Sequence, residues 1–378
     1  MAELIALELH QDDAIVPVIE AIWANGDALC IVDPRWSAPQ RSLALSTMAP
    51  TALVDGAGHH PLAGGRPVDE GVGLVMMTSG STANPKAVEI DIDALAASAA
   101  MTSTRLNVDP SRHRWLCCLP LAHIGGFSVL ARSLFTATAL SVTDNAQQST
   151  LEHAAASGVT HVSLVTRSLK RIDPSLFTSI LLGGAAPPED RAPNVVATYG
   201  MTETGSGIVY NGVALDGVKL HIDEPDEAGV GEILVASPTL FRQYRNHPSP
   251  FVRGPDGAAN WFPTGDLGGL NDAGILTVRG RRSEMIVSGG EKIFPTDIEA
   301  LLRDLPGVSE LAVWKRADPE WGERVVVWIV PDGTPPTLDQ LRSIVTNEFA
   351  AYGAPKELVI VDQLPRTPLG KIQRPLLI

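Results

Sequence analysis

The sequence predicts an α/β protein with a large N-terminal domain and a small α+β C-terminal domain. Short β-rich runs alternate with Ala-rich helical stretches, and 34 glycines and 29 prolines lie between them. After Gly231 the pattern changes to short strands and turns, which indicates a β-rich subdomain. With 378 residues the chain is long enough for two domains.

The N-terminal domain is predicted to repeat a strand, loop, helix unit. Gly73 to Thr78 is typical of a buried strand that ends in a Gly/Ser-rich loop, and Ile92 to Thr104 follows as a helix. The same alternation predicts further strands at Trp115 to Leu119, Thr160 to Val165, Ser179 to Leu182 and Val195 to Tyr199. We therefore expect several strands to end in loops that converge on one ligand.

The C-terminal region has its own set of predicted elements. The runs GEILVAS and NDAGILTVRG predict a strand and a hairpin in the β-rich subdomain. The elements expected beyond them are helices Pro295 to Arg303 and Leu338 to Phe349, and strands Leu311 to Lys315 and Arg324 to Val330. We place the domain boundary at Arg281 to Ser283, so that 1–281 forms the N-terminal domain and 282–378 the C-terminal domain.

Composition and charge exclude several classes of partner. The formal charge of −14 argues against a nucleic-acid binder. No run approaches the roughly 20 apolar residues that a membrane span requires. The N-terminus lacks a basic cluster ahead of an apolar stretch, so it does not resemble a secretory signal. Cys30, Cys117 and Cys118 show no metal-ligand spacing and are expected to be core thiols, which together favours a cytoplasmic protein.

A polar loop follows the first strand of the repeat. Thr78 to Lys86, TSGSTANPK, combines hydroxyls, small residues and one lysine, a composition that suits a loop around polyphosphate oxygens. It lacks the spacing of a Walker A loop. A flexible polar turn is the alternative interpretation.

A carboxylate between two threonines follows the strand that ends at Tyr199. In YGMTET, Glu203 is a candidate ligand for a Mg²⁺ ion that bridges phosphate oxygens, and Thr202 a candidate contact for a phosphate. The alternative is a helix N-terminus in which Thr202 caps the helix and Glu203 interacts with the macrodipole.

Three later segments contain candidate nucleotide contacts, but each pattern is a weaker signal for nucleotide binding. Asp266, in Thr264-Gly265-Asp266, is a candidate ligand for ribose hydroxyls or an ordinary turn aspartate. Arg279 to Arg282 form a basic cluster in an acidic protein, and the usual interpretation of such a cluster is a solvated turn. Lys371, in PRTPLGKIQ, places an ammonium on a loop pinned by prolines, where it could meet negative charge in a transition state. Its alternative is a frayed basic terminus.

The order of these motifs resembles the adenylate-forming superfamily of acyl-CoA synthetases, luciferases and peptide-synthetase adenylation domains. The matching stretches are IVDPR, TSGSTANPK, LPLAHIGG, YGMTET, TGD, RGRRSEMIVSGGEKIFPTDIE and PRTPLGKIQR. The resemblance runs from about Ile31 to the C-terminus. It implies an N-terminal domain of sandwiched α/β sheets plus a β-rich subdomain, with a rotating C-terminal domain.

The resemblance also implies roles for individual residues. For ATP it implies a phosphate loop, Thr78, Ser79, Gly80, Ser81, Thr82 and Lys86, an adenine-side segment, Gly183, Gly184 and Ala185, and ribose contacts, Asp266 and Arg281. Tyr199 and Gly200 are implied as further ATP-binding residues. Thr202 and Glu203 become phosphate and Mg²⁺ contacts, Lys371 the adenylation lysine and position 283 the hinge.

This sequence departs from the family pattern at three places. Ala83 stands where the phosphate loop usually has Gly, which restricts φ there. Ser283 replaces the usual Asp or Lys at the hinge. The 77 residues before the phosphate loop are fewer than the family's norm, so we expect a trimmed N-terminal subdomain.

Within the superfamily, the spans Leu119 to Leu134, Thr160 to Ile172 and Ile180 to Ala185 look most like the 2-succinylbenzoate:CoA ligases of menaquinone biosynthesis, and the short N-terminal region like their actinobacterial forms. This resemblance implies an aromatic dicarboxylate substrate whose spare carboxylate needs a cation. His123 at the pocket mouth and Arg132 or Arg171 on that carboxylate are the favoured candidates, with Lys170 a further cation in these spans. The alternative for both arginines is a helix-surface ion pair.

The resemblance implies ATP, Mg²⁺ and coenzyme A as cofactor and co-substrates. Acyl-adenylate formation would come first, followed by rotation of the C-terminal domain and thioester formation. The remaining alternatives are another aryl- or fatty-acyl-CoA ligase, an inactive nucleotide-binding homologue and a carrier-loading adenylation domain. The sequence leaves open whether the chain forms a homodimer.

Overall fold

The chain forms two compact units. One comprises Met1–Leu220 with Val235–Phe262, and the other His221–Leu234 with Pro263–Ile378. The structure, a computed structural model, describes residues 1–78, 85–184, 187–188, 190–258, 260–366 and 372–377. Only part of the predicted β-rich segment groups with the C-terminal region in this division, because Val235–Phe262 belongs to the larger unit. A boundary at 282 stays a prediction.

The described residues form α-helices and β-strands in a largely alternating order. The helices are α1 (Ile15–Ala24), α2 (Ala38–Met48), α3 (Ile92–Arg105), α4 (Ile124–Thr136), α5 (Gln148–Ala156), α6 (Thr166–Leu169), α7 (Pro295–Leu302) and α8 (Leu338–Glu348). The strands are β1 (Leu4–Glu8), β2 (Ala28–Ile31), β3 (Ala52–Asp55), β4 (Gly58–Pro61), β5 (Val72–Met77), β6 (Ala87–Asp91), β7 (Arg114–Cys117), β8 (Ala139–Val142), β9 (His161–Leu164), β10 (Ser179–Leu182), β11 (Val195–Met201), β12 (Ser206–Tyr210), β13 (Val213–Ala214), β14 (Lys219–Asp223), β15 (Gly231–Ala236), β16 (Gln243–Tyr244), β17 (Phe262–Leu270), β18 (Leu276–Arg281), β19 (Ile286–Ser288), β20 (Glu291–Ile293), β21 (Val308–Asp318), β22 (Gly322–Pro331) and β23 (Glu357–Ile360).

The larger unit contains two seven-stranded sheets. The first has the order β16-β6-β5-β2-β1-β3-β4, and the second β13-β12-β11-β10-β9-β7-β8. Strands β7 to β11 pair in parallel, whereas β11, β12 and β13 pair antiparallel. Parallel pairing requires crossover connections, which the intervening helices supply.

Helices α3 and α4 pack on each other and contact strands of both sheets. The main apolar core joins these layers and includes Leu29, Leu74, Trp115 and Phe127. Fully buried strands are near-continuous apolar runs, which explains why their positions are readable from sequence. The three cysteines are buried and free, as predicted, and burial raises the pKa of Cys30 and Cys118 to about 12.

The smaller unit contains most of the four-stranded sheet β14-β15-β17-β18 and the whole of the sheet in which β20, β19, β22 and β21 are neighbours. Strand β23 pairs in parallel with β22. A core around Ile298, Val327, Leu341 and Val345 packs helices α7 and α8 onto the sheet that contains β19 to β22. The predicted helices and strands of this region are confirmed, and β21 and β22 are longer than predicted because their polar ends continue the pairing. In the part of the chain that the structure describes, no helix is long and apolar enough to cross a membrane.

Candidate active site

Several candidate residues lie at one edge of the second large sheet. Because β7, β9, β10 and β11 are parallel, their carboxyl ends share that edge. The segments that leave it are 118–123, 165–166, 183–184 and 202–204. These four strands therefore end at a shared edge, and the convergence of their loops on one ligand stays a prediction.

The two ends of the candidate phosphate loop meet in the first large sheet. The Thr78 amide donates to the Lys86 carbonyl at 2.8 Å, directly beyond the antiparallel pairing of β5 and β6. The Lys86 ammonium lies over the Tyr244 ring, 4.5 Å from its centroid. Ser79, Gly80, Ser81 and Thr82, together with Ala83, lie outside the described residues.

Glu203 lies in a single 3-10 turn, Thr202–Thr204, between β11 and β12. No α-helix begins here and Thr202 is not its cap: Met201 is the N-cap residue, and its amide donates to the Thr204 hydroxyl at 2.9 Å. The turn is closed by the Gly205 amide, which donates to the Thr202 carbonyl at 3.0 Å, with Gly205 at a positive φ of 67°. The Thr204 hydroxyl donates to the Ser206 carbonyl at 2.7 Å. The Tyr244 hydroxyl donates to Glu203 Oε1 at 2.9 Å, which fixes one carboxylate oxygen.

Gly200 allows β11 and β12 to approach closely before this turn. A Cβ at Gly200 would lie 2.1 Å from the Ser206 carbonyl oxygen, so any side chain would separate the strands. Tyr199 precedes it in the strand, and the pairing register shifts between the two. Gly183 and Gly184 follow β10 at the same sheet edge, and Ala185 lies outside the described residues.

Asp266 and Arg281 are opposite each other in the smaller unit. They are paired residues of β17 and β18, and Arg281 Nε lies 3.0 Å from Asp266 Oδ1. The alternative interpretation of Asp266 as an ordinary turn aspartate is therefore wrong, because Thr264–Asp266 lies inside β17. The solvated-turn interpretation of the basic cluster is wrong as well. Arg279 pairs with Asp297 and Arg282 with Glu232.

His123 immediately precedes α4, and its loop is held by Gln11. The Gln11 side chain donates to the carbonyls of Leu119 and Thr143 and accepts from the Leu121 amide, with distances of 2.8 to 3.0 Å. The His123 carbonyl accepts from the amides of the first turn of α4. Burial lowers the pKa of the His123 imidazole, and the charge of Asp33 only partly opposes this.

Arg132 is buried in the larger unit, with 2% of its surface exposed. Its guanidinium donates to the hydroxyls of Ser206 at 2.8 Å, Ser128 at 3.1 Å and Ser163 at 3.4 Å. Its Nε has no hydrogen-bond partner, and no carboxylate pairs with it among the described residues. The helix-surface ion pair considered for Arg132 is therefore wrong. Burial also lowers the pKa of this group.

The remaining candidate cations are placed differently. Arg171 is exposed after α6 and lines a surface groove with Gln148 and Glu152. No contact among the described residues joins Arg171 to Arg132. Lys371 lies outside the described residues. The terminus after it is not frayed where described, because Arg374 makes ion pairs with Glu284 and Glu299.

Two residues of this region carried no sequence signal. Tyr244 contacts both Lys86 and Glu203. It belongs to the two-residue strand β16, and the surrounding segment FRQYRN has no apolar periodicity. Gln11 lies in a loop more than 100 residues before its partners. Neither spacing nor composition indicates such contacts, because they depend on which strands become neighbours.

Two family models match this chain. One, described as AMP-binding enzyme, matches residues 65–245, and another, described as AMP-binding enzyme C-terminal domain, matches residues 297–371. A protein named probable 2-succinylbenzoate–CoA ligase from Mycobacterium tuberculosis (strain ATCC 25618 / H37Rv) is 39% identical over 339 residues, covering 83% of this chain and 86% of the relative. This chain belongs to the AMP-binding enzyme family. The superfamily that the motifs resemble is thereby confirmed.

Other relatives of this AMP-binding enzyme agree. A 2-succinylbenzoate–CoA ligase from Listeria monocytogenes serotype 4b (strain F2365) is 34% identical over 326 residues, covering 79% of this chain and 68% of the relative. The solved o-succinylbenzoate CoA synthetase (MenE) from Bacillus subtilis, in complex with the acyl-adenylate intermediate OSB-AMP, superposes with a TM-score of 0.85. It is 26% identical and the match covers 99% of this chain and 88% of that one. A structure of the same synthetase contains ATP and a magnesium ion.

Proposed function

We propose that this AMP-binding enzyme is a 2-succinylbenzoate–CoA ligase that forms an acyl-adenylate and transfers the acyl group to coenzyme A, as menaquinone biosynthesis requires. The sequence similarity to ligases of that name supports it over most of the chain. The structural observation that carries the substrate assignment is Arg132, a buried cation without an acidic partner among the described residues.

A buried guanidinium without a counter-charge is costly, because burial removes its hydration. Three serine hydroxyls orient Arg132 but do not neutralise it. A carboxylate that entered beside it would form charge-assisted hydrogen bonds at low dielectric. 2-Succinylbenzoate has two carboxylates, so one can bind Arg132 while the other reacts. Arg171 is exposed to solvent, so an ion pair between it and a substrate carboxylate would contribute less binding free energy than one at Arg132.

Each part of ATP is assigned to particular residues. We assign the polyphosphate to Thr78 to Lys86, the α-phosphate to Thr202, the adenine side to Gly183 through Ala185 with Tyr199 and Gly200, and the ribose to Asp266 and Arg281. His123 lies in the loop before α4, and we assign it to the mouth of the acid pocket. The substrate carboxylate attacks the α-phosphorus in line, and pyrophosphate leaves as Lys86 and Lys371 stabilise the developing charge.

The residues present fit a magnesium ion at Glu203. Its Oε1 accepts from Tyr244, and within the described residues Oε2 has no hydrogen-bond partner, so one hard oxygen ligand is open. Magnesium supplies charge neutralisation of the phosphate oxygens when bound. Glu203 would hold the ion through that oxygen, and phosphate and water oxygens would suit the remaining positions.

Thioester formation follows adenylation. We assign position 283 as the hinge about which the C-terminal domain turns, which removes Lys371 and lets the coenzyme A thiol attack the acyl carbon with loss of AMP. ATP and coenzyme A are metabolites of the cytoplasm, so we propose that the enzyme works there.

One coupled assay tests the proposed function. The protein with 2-succinylbenzoate, ATP, Mg²⁺ and coenzyme A should release AMP and pyrophosphate and form the thioester. A panel of benzoates and fatty acids, assayed in parallel, should react more slowly by kcat/KM. Faster reaction of another acid, or AMP formation with none, would overturn the assignment.

Arg132 provides the residue-level test of the substrate. Arg132→Met keeps the volume but loses the cation, and should raise the KM for 2-succinylbenzoate about 10- to 100-fold, the loss expected for hydrogen bonds to a charged group. The KM for ATP should not change. Arg171→Met is the matched control and should leave both values near wild type. Equal increases in both KM values for Arg132→Met would contradict the assignment.

A further inference from the structure

Strand β16 places its side chains alternately on two sides of the first large sheet. It pairs antiparallel with β6, so that Gln243 is opposite Glu89 and Tyr244 is opposite Val88. Gln243 and Arg245 both bind the Glu89 carboxylate at 2.7 Å. Because side chains alternate along a strand, Tyr244 faces the other way. The buried Glu89–Arg245 ion pair therefore fixes the strand from which Tyr244 projects.

Tyr244 contacts two candidate active-site charges with two different parts of its side chain. Its hydroxyl donates to Glu203 Oε1 at 2.9 Å, and its ring face receives the Lys86 ammonium at 4.5 Å. The ring packs against Phe241 with centroids 4.7 Å apart, and only 8% of the residue is exposed. The phenol thus has little freedom to reorient.

We propose that Tyr244 is a positioning residue that holds Glu203 and Lys86 for magnesium and phosphate while keeping the two charges apart. The proposal rests on the proposed function for the roles of these two residues. A direct Lys86–Glu203 ion pair would satisfy both groups and withdraw them from the nucleotide. In the part of the chain that the structure describes no such pair forms, and Tyr244 occupies contacts on both.

The physical effect on Glu203 is an ordered carboxylate. The phenol occupies Oε1, which leaves Oε2 with a fixed direction for a metal ion. Removal of a group that orients a metal ligand commonly lowers metal affinity by roughly 10- to 100-fold. The effect on Lys86 is weaker, because a cation–π contact at a partly exposed site stabilises the position of the ammonium only modestly.

Tyr244→Phe separates these effects, because it removes the hydroxyl and keeps the ring. Calorimetric titration of the purified protein with ATP at graded Mg²⁺ should show a need for roughly 10- to 100-fold more Mg²⁺. ATP affinity without Mg²⁺ should stay at the wild-type value. An unchanged or lower Mg²⁺ requirement would overturn the proposal.

Two further variants test the pathway through Glu203 and the contact with Lys86. In a Glu203→Gln background, Tyr244→Phe should have almost no further effect on the Mg²⁺ requirement, since the carboxylate it orders is gone. Tyr244→Leu also removes the ring and should weaken ATP binding without Mg²⁺, which Tyr244→Phe does not. Additive effects in the double variant would show that Tyr244 does not act through Glu203.

Tyr210→Phe is the matched control. Tyr210 is also buried, and its hydroxyl forms a 2.9 Å hydrogen bond with Thr102. Its removal should leave the Mg²⁺ requirement unchanged, and an equal shift would assign the Tyr244 effect to general destabilisation. ATP titrations contain no acid substrate, so this result is independent of the 2-succinylbenzoate assay, whose failure would overturn the proposed function alone.

Discussion

Two arginines with nearly buried side chains differ in what neutralises them. Arg374 binds both Glu284 and Glu299, at 3.1 and 2.9 Å, and its role in the smaller unit is accounted for by these pairs. The Arg132 guanidinium donates to serine hydroxyls and lies over the Trp115 ring, and it forms no ion pair with a carboxylate among the described residues. Because burial costs a lone cation more than a paired one, Arg132 is the one suited to an anionic ligand.

His161 is a buried histidine whose environment favours the neutral ring. It packs against Trp115 and His113, with ring centroids 5.0 and 4.7 Å away. Burial, and to a smaller degree His113, lower its pKa from 6.5 to about 4. Its Nε2 has no hydrogen-bond partner among the described residues. Protonation at this position therefore opposes folding.

The pKa of His161 predicts a pH dependence of stability. Between pH 6.5 and pH 4 the unfolded chain binds this proton and the folded chain does not, so stability is full above pH 6.5 and falls with acidity. From pH 7 to pH 5 this group should remove about 2 kcal/mol from the free energy of unfolding. Urea unfolding at both pH values measures the loss.

His161→Gln should show a smaller loss over the same pH interval, because Gln does not titrate. His153→Gln, at an exposed position, is the control and should keep the wild-type pH dependence. Identical pH dependence in wild type and His161→Gln would refute the role of His161.

Helix α4 begins against the loop that carries His123. Gly126 in its first turn is buried, and a Cβ there would lie 2.4 Å from the carbonyl oxygens of Leu119 and Pro120. At Gly125 the nearest atom would be Leu119 Cδ1 at 3.7 Å, an ordinary contact. Two adjacent glycines of one helix therefore differ in what they tolerate.

This difference gives a paired prediction at the level of the element. Gly126→Ala should lower the free energy of unfolding by roughly 1 to 3 kcal/mol, because the backbone of the loop must move. It should also raise the KM for the acid, since the same loop carries His123. Gly125→Ala should be neutral or stabilising by up to about 1 kcal/mol, because Ala favours helix. Thermal unfolding and steady-state kinetics measure both, and equal destabilisation by the two would contradict the steric argument.

Element types were largely predictable, and the exceptions share a cause. Buried strands such as β5 and β10, and helix α3, follow from apolar runs and Ala-rich composition. Thr264–Asp266 looks like a turn because it contains glycine, yet pairing with β18 keeps it in a strand. Thr202–Thr204 looks like a helix start, yet β12 begins only two residues later. In both cases strand pairing overrides the local preference.

The proposed reaction uses a group from the C-terminal region. The proposed role of Lys371 predicts that Lys371→Ala slows adenylate formation at least about 100-fold, as expected for loss of a charge that stabilises the transition state. Thioester formation from supplied acyl-adenylate and coenzyme A should be unaffected. Pyrophosphate release measures the first half-reaction and thioester absorbance the second.

Lys219→Ala is a control for loss of a lysine, since Lys219 pairs with Asp256 at the surface. It should leave both half-reactions unchanged. Loss of both half-reactions in Lys371→Ala would contradict the separation of the two steps.

By itself the sequence determined the order of the motifs, the alternation of strands and helices and the family to which they belong. These features depend on near neighbours in the chain and on apolar periodicity. Only the tertiary structure decided that Arg132 is buried without an acid among the described residues, and that Tyr244 lies between Lys86 and Glu203. Burial and pairing of this kind arise from the register of strands distant in sequence, which local composition does not encode.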